Sequence, residues 1–368
     1  MDCLPGKPLL IIGCSARAAA QSALRRGRQV LALDIFGDAD LARAASAHAQ
    51  IDPGAYPDAL PRAAQALPAA PFVVTGGLEN HASIVETLES HRRNEGSDAR
   101  SLRRVRDPFL LREALLEAGL ASPRVLRHPP EPREGWLQKP LNGAGGHGIL
   151  AAGDRALHDE VTRDHYYQEF VRGTSCAAVY DNREGGALEL LGITRQLTGE
   201  ATLNAPPFGY CGSLGPLDPG EAVVERFRLI GETLVRRFGL RGIFGVDAIL
   251  HDNEPSTVEV NPRYTASVEV LELSHELGPE SSSRRKLGKA ILFAHEDLEV
   301  RDDWMSESLV SAPPGRSGPW LGVADVPVPG THVPAGRPIM TCFALGKSID
   351  ACRTALLEYA GDIYRRLQ

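Results

Sequence analysis

Gly245-Val246-Asp247-Ala248-Ile249-Leu250 is followed, after a short gap, by Val258-Glu259-Val260-Asn261-Pro262-Arg263. Each segment is an apolar run broken by an acid, the pattern of a buried strand. Eleven residues separate Asp247 from Glu259, so a hairpin would aim both carboxylates at one point. Glu259, Asn261 and Arg263 are spaced by two and share a strand face. Two carboxylates and an amide oxygen make a hard-oxygen set suited to Mg2+, which keeps waters and phosphate oxygens as its other ligands. Arg263, next on that face, presents its fork to a transferring phosphoryl group. The competing account is two acids on a solvated sheet face. Three functional side chains at i, i+2 and i+4 inside an otherwise apolar run argue against it.

Upstream, Gln138-Lys139-Pro140-Leu141-Asn142-Gly143-Ala144-Gly145-Gly146-His147-Gly148-Ile149 places four glycines within six residues. Such a backbone turns sharply or approaches something closely, and its successive amides can wrap a phosphate. Lys139 enters it at the end of a strand, beside the bound anion. Only five of the 40 basic residues are lysines, so a Lys in this context stands out. Residues 143–148 also fit G-x-G-x-x-G, but that fingerprint needs a following helix. Here Ile149-Leu150-Ala151-Ala152 runs into Gly153 and reads as a second hairpin strand. A Walker A loop fails as well, because Thr341 stands where the earlier glycine of Gly346-Lys347-Ser348 is required. A third stretch, Tyr166-Tyr167-Gln168-Glu169-Phe170-Val171-Arg172-Gly173, sets an acid in an apolar strand. It suits an adenine slot in which Glu169 accepts the amino protons of the base.

The chain has 368 residues, of which 43% are apolar, enough for two or three domains with real cores. Its net charge of −7 gives no electrostatic reason to expect nucleic acid or an anionic membrane as partner. Six cysteines without a C-x-x-C pair read as reduced thiols, which points to the cytoplasm. No signal peptide or membrane-length apolar run is visible. The first hundred residues alternate strand and helix in the βαβ manner: strands at 9–12, 30–33 and 72–75, helices at 16–26, 38–49 and 79–93. A polar break at 94–101 marks the first boundary. Asp107 is positioned to cap a helix over 110–120. Residues 198–220, rich in Gly and Pro, read as too punctuated for regular structure, and 221–238 as an amphipathic helix. The last helix starts at Ser348, with Ile349, Cys352, Leu356, Ile363 and Leu367 on one face.

Taken in order, a Lys before a Gly-rich loop, a Gln-Glu-Phe-Val strand, then Asp and Glu-Val-Asn-Pro-Arg resemble the ATP-grasp superfamily, in its biotin carboxylase and carbamoyl phosphate synthetase branch. The resemblance covers residues 105–300. It implies a mixed α/β and α+β chain. A Rossmann-like pre-ATP-grasp domain at 1–104 precedes a two-subdomain ATP-grasp fold at 105–300, with a flap subdomain near 124–175. Residues 301–368 complete the fold. Gly13-Cys14-Ser15-Ala16-Arg17, Asp34-Ile35-Phe36-Gly37-Asp38 and Gly77-Leu78-Glu79-Asn80 resemble a branch of predicted carboligases, some associated with tetrahydromethanopterin-linked one-carbon metabolism.

The resemblance also implies roles. Lys139 would hold the α and β phosphates of ATP, under a flap formed by Gly143, Gly145, Gly146 and Gly148. Glu169, Phe170 and Val171 would meet adenine. Asp247, Glu259 and Asn261 would hold Mg2+, with Mn2+ admissible, and Arg263 would face the reacting phosphoryl group. Many members carry another Lys in the helix before the flap. Here Asp107 is followed by Pro108, and only Arg104, Arg106 and Arg112 are near. The implied activity is ligation of a small-molecule carboxylate to an amine through an acyl phosphate, by analogy in a homodimer. Activation of bicarbonate as carboxyphosphate, or nucleotide binding without catalysis, are the competing readings. Arg17, Glu79, Asn80, Arg195 and the loop at 204–216 are the candidates for substrate contacts.

Overall fold

The structure, a computed structural model, describes residues 6–151, 164–183, 185–277, 285–308 and 322–367. Pro8–Ile12, Gln29–Asp34, Ala47–Gln50 and Phe72–Val74 form a parallel sheet, with Gln29–Asp34 and Pro8–Ile12 in the middle. Its two central strands, Pro8–Ile12 and Gln29–Asp34, are largely apolar because both faces are covered. Leu10, Ile12, Leu31 and Leu33 pack into one core. Leu9, Ile11, Val30 and Ala32 pack into another, with Ala16, Ala19 and Ala20 at the helix Arg17–Arg25. Burying one such aliphatic side chain contributes roughly 1.5–3 kcal/mol.

Two expectations for this sheet need correction. The helix expected over 38–49 stops at Ala44. The rest, Ala47–Gln50, is a strand whose register with Leu31 to Asp34 overrides the helix preference of its alanines. The helix expected over 79–93 is confined to Ala82–Glu89, after a single tight turn at Leu78–Asn80.

The largest element is an eight-stranded antiparallel sheet. Its order runs Glu254–Asn261, Gly242–His251, Thr174–Asn182, Glu189–Thr198, Tyr210–Gly215, Lys286–Phe293, Pro338–Gly346, Gly322–Ala324. The hairpin read from sequence is thus its edge, while strands from the C-terminal part close the opposite edge. The strand Tyr210–Gly215 overturns the expectation that 198–220 lacks regular structure. Its glycines serve close packing: a Cβ on Gly212 would lie 2.3 Å from the carbonyl oxygen of Lys289. The helix Ile349–Leu367 lays Cys352, Leu356, Ala360 and Ile363 on this sheet, against Leu214, Ala290 and Cys342.

A smaller antiparallel sheet orders Val125–Leu126, His165–Glu169, Trp136–Pro140 and Leu150–Ala151. Leu150 and Ala151 pair with Gln138 and Leu137, so the Gly-rich loop joins two strands rather than opening a helix. Ala152 and Gly153 lie outside the described residues. The Asp107 carboxylate caps the helix Pro108–Glu117 through the amides of Phe109 and Leu110. The architecture is the mixed α/β and α+β class that the sequence implied, a parallel sheet followed by antiparallel ones. Among the described residues five cysteines are free thiols, and no helix is long and apolar enough to cross a membrane.

Candidate active site

The hairpin places Asp247 directly opposite Glu259. One Asp247 oxygen accepts from Gln196 Nε2 and the other from Asn261 Nδ2, both at 2.8 Å. Asn261 Oδ1 accepts from Arg263 Nη2 at 3.0 Å. Arg263 also donates from Nε and Nη2 to Glu79 Oε1, at 3.0 and 2.7 Å. Glu79 follows the parallel strand Phe72–Val74, so Arg263 bridges the hairpin to the N-terminal sheet.

Glu259 is ion-paired with Arg106. That arginine donates from Nε to Asn80 Oδ1 at 3.1 Å and from Nη2 to the Gly143 carbonyl at 2.8 Å. Of the three arginines near Pro108, Arg106 is therefore the one brought into the site. Arg104 lies over the Phe238 ring, and Arg112 donates to the Pro123 carbonyl.

Charge sets the protonation of the acid pair. Burial, then the neighbouring Glu259 charge, pushes Asp247 up to about 6. Burial also opposes ionisation of Glu259, but Arg106 and then Lys139 outweigh it and hold Glu259 below the usual carboxylate range. Two carboxylates that raise each other's cost of ionising, with a carboxamide beside them, are a donor set that a hard divalent cation would relieve. The residues fit such an ion. Among the described residues no group of three or more His, Cys, Asp or Glu side chains could hold a metal, so this pair plus Asn261 is the oxygen set to consider.

Lys139 is 7% exposed. Its Nζ donates to Gln168 Oε1 at 3.0 Å and lies 5.8 Å from the Tyr166 ring centre. Gln168 donates in turn to the Val258 carbonyl at 3.1 Å, tying the small sheet to the hairpin. Arg106, Lys139, Gly143, Gly146, Tyr166 and Glu259 wall one cleft. Gly145, Gly146 and Gly148 all have positive φ. A Cβ on Gly146 would fall 2.0 Å from the Phe208 carbonyl oxygen, and the Tyr210 amide donates to the Gly145 carbonyl at 3.0 Å. Gly143 is fixed by Arg106 and by Asn80, which donates to its carbonyl at 3.1 Å. The loop is thus drawn down on two sides.

At the proposed adenine strand, Glu169 is held by Arg124 through Nε at 3.2 Å and Nη2 at 3.3 Å. Burial would raise its carboxyl, but the Arg124 hydrogen bonds prevail and lower it. The Phe170 side chain is exposed, its amide donating to the Gly135 carbonyl, and Val171 is half-buried beside it. Other candidates disperse. Arg195 pairs with Asp350 at 3.2 Å on an exposed face, and Arg17 is buried against Glu269 and Asp325. From the loop at 204–216, Phe208 and Tyr210 touch the Gly-rich loop. For Gln196, Gln168 and Tyr166, strand alternation gives the face, but only the pairing of distant strands shows what they meet there.

Residues 105–267 match the family model of the ATP-grasp domain. Over 178 residues the chain is 27% identical to an uncharacterized protein of Methanocaldococcus jannaschii. That match takes in 44% of this chain and 42% of the relative, so the chain spans less than half of that protein's length. Two solved structures match nearly end to end. Biotin carboxylase from Campylobacter jejuni has a TM-score of 0.68 at 13% identity, over 93% of this chain and 87% of that one. L-amino acid ligase from Bacillus licheniformis has a TM-score of 0.64 at 17% identity, over 97% and 98%. By the family match, residues 105–267 are similar to an ATP-grasp domain, a fold that generally binds ATP and a divalent metal ion.

Proposed function

We propose that the protein is an ATP-dependent carboxylate–amine ligase that forms an acyl phosphate and releases ADP and phosphate. The observation that carries the reading is Arg263. It joins the acid–carboxamide set of the hairpin to Glu79 at the N-terminal sheet, at the crevice where open α/β sheets take ligands. A pure nucleotide binder has no use for a guanidinium there.

In this reading Lys139 and Arg106 neutralise the triphosphate, and Asp247, Glu259 and Asn261 hold Mg2+. A divalent ion held there would supply charge neutralisation to the reacting phosphoryl group. Arg263 stabilises the charge that spreads over the γ-phosphoryl group as a substrate carboxylate takes it. Glu79 and Asn261 fix the guanidinium plane. The amine then attacks the acyl carbon and phosphate leaves. The flap, pinned by Asn80, Arg106 and Tyr210, excludes water that would hydrolyse the intermediate.

The test is incubation with Mg-ATP and pooled carboxylates and amines, following ADP and new amide masses. ADP release that needs both a carboxylate and an amine, and is lost in Glu259→Gln, supports the reading. Release driven by bicarbonate without an amine would instead indicate a carboxylase-type enzyme. Nucleotide binding with no turnover over the whole panel would indicate a binding module.

A further inference from the structure

A second cavity, of about 470 Å3, lies between the N-terminal parallel sheet and the eight-stranded sheet. Small side chains create it. Ala19, Ser22 and Ala23 stand at i, i+3 and i+4 on one face of the helix Arg17–Arg25, and they leave the space over Leu9 and Val73 open. Ile243 and Tyr264 wall the far side. Two clamps fix the walls. Ser97 Oγ donates to the Arg241 carbonyl at 3.2 Å and accepts the Arg241 amide at 3.0 Å. Glu272 accepts from Ser22 Oγ at 2.6 Å and from Arg26 Nη2 at 3.0 Å. The volume falls in the range of roughly 300–1,000 Å3 of small-molecule pockets. Among the described residues this cavity shares no wall with the cleft of Lys139 and Glu259.

Arginine dominates the polar part of the wall. Arg26, Arg28, Arg93, Arg183, Arg241 and Arg263 line it, against two acids, Glu95 and Asp181. Glu95 pairs with Arg28 at 3.1 Å and with Arg93 at 2.5 Å. Asp181 pairs with Arg183 at 2.7 Å and lies 3.7 Å from Arg26. Each wall acid thus serves two guanidinium groups. Behind the wall, Glu272 is divided between Arg26 and Arg25. Arg241 stands 3.6 Å from Asp98, beyond hydrogen-bonding distance. Arg263 is committed to Glu79, and Arg28 to the carbonyls of Lys7 and Pro8, so these two only shape the wall. Arg26, Arg93 and Arg241 come from three separate segments and are partly exposed. A guanidinium has five donors, more than the shared acids beside these three can take. In a chain of net charge −7, this is a local excess of positive charge around an apolar floor.

We propose that this junction is a binding site for a small organic phosphate with an apolar body. Leu9, Ala19, Ala23, Val73 and Ile243 take the body. Arg26, Arg93 and Arg241 take the phosphate, whose double charge and three oxygens suit more than one guanidinium fork. A monocarboxylate satisfies a single fork and leaves the others unused. The occupant touches both sheets. It also touches Pro262 to Tyr264, the continuation of the strand Glu254–Asn261 that carries Glu259 and Asn261. The site is therefore placed to hold the end of the hairpin against the N-terminal sheet. No bond is made or broken there, and the proposal stands whether or not the ligase reading does.

The probe is 1-naphthyl phosphate, compared with 1-naphthoate and inorganic phosphate at equal ionic strength. Binding to the full chain is read by isothermal titration calorimetry with excess Mg-ADP present, which fills the nucleotide cleft. We expect one site per chain with a Kd below about 1 mM, at least about 10-fold tighter than for either comparison compound. The double variant Arg93→Ala, Arg241→Ala should weaken the probe by about 10-fold or more. Lys139→Ala, in the nucleotide cleft, should bind it as the wild type does. No saturable binding to the wild type overturns the proposal, whether or not the variants fold. So does an unchanged Kd in the double variant, or a loss of binding in Lys139→Ala, which would put the probe in the nucleotide cleft. Equal affinity for 1-naphthoate overturns the choice of a phosphate.

Discussion

Asp247 and Glu259 stand opposite each other across one hairpin, yet they titrate in opposite directions. Asp247 is pushed up to about 6 by burial and by its neighbour. Glu259 is held low because Arg106 and Lys139 outweigh its burial. At neutral pH both are ionised, a charge pair that a divalent cation would neutralise in the proposed reading. Replacing Glu259 by Gln keeps an oxygen for Arg106 but removes the charge proposed to hold the ion. We expect Mg-ATP-dependent ADP formation to fall by about 100-fold or more, with far-ultraviolet circular dichroism unchanged. Undiminished turnover would remove this pair from the chemistry.

In the proposed reading Arg106 would supply a cation at the triphosphate, in place of the Lys absent near Pro108. It also holds Asn80, Gly143 and the Val260 carbonyl. Hydrogen bonds to charged groups contribute about 1.5–3 kcal/mol. Arg106→Gln should therefore weaken Mg-ATP binding by roughly 10- to 100-fold, read by equilibrium titration. Arg106→Lys should recover only part of the loss, since an ammonium cannot reach three partners with one planar fork. Wild-type affinity in Arg106→Lys would mean that charge alone matters and the flap contact does not.

Gly146 tests closure of the flap. Its φ of 82° and the 2.0 Å approach that a Cβ would make to the Phe208 carbonyl leave no room for a side chain. Gly146→Ala should leave the unfolding midpoint within about 2 °C, because the loop can lift off the Phe208 turn. Turnover should fall by more than about 10-fold as water enters the cleft. Gly148→Ala is the contrasting case: φ is 75°, but its Cβ would meet only Pro140 Cγ at 3.4 Å, so a smaller loss is expected. Equal losses would shift the cause from contact to backbone strain.

The site was readable where function imposes a local pattern. Alternation in 245–250 and 258–263 marked the hairpin, and the glycine spacing marked the loop. What could not be read is contact between distant segments. Arg106 reaches Glu259 over 153 positions, and Arg263 reaches Glu79 over 184; no periodicity carries that information. The strand Tyr210–Gly215 was hidden for a related reason. Its glycines look like breakers in sequence, but they are small because Lys289 and Thr194 crowd them. Likewise Ala47–Gln50 has the composition of a helix, and only its parallel pairing with Gln29–Asp34 makes it a strand.

The buried acids beside Arg17 should give the stability a recognisable pH dependence. Burial raises Asp40 most; Arg17 opposes this and Asp325 adds to it, leaving Asp40 at about 6. The folded value lies above the unfolded one, so between them the native chain holds a proton that the unfolded chain has released. Stability is therefore greatest at the acid end of that interval and declines as pH rises from about 4 to about 6. Groups held low, such as Glu269 and Asp325, act in the opposite sense, but their contribution is lost only below about pH 4. The interval from pH 4.5 to 6.5 isolates the raised acids. With divalent metal withheld, Asp247 adds to the same slope. Urea midpoints should fall across this interval in the wild type, and Asp40→Asn should remove part of the fall while costing stability at every pH through a lost amide contact. A wild-type midpoint that rises between pH 4.5 and 6.5 would mean that the Arg17 charge dominates the cluster and that Asp40 is ionised throughout.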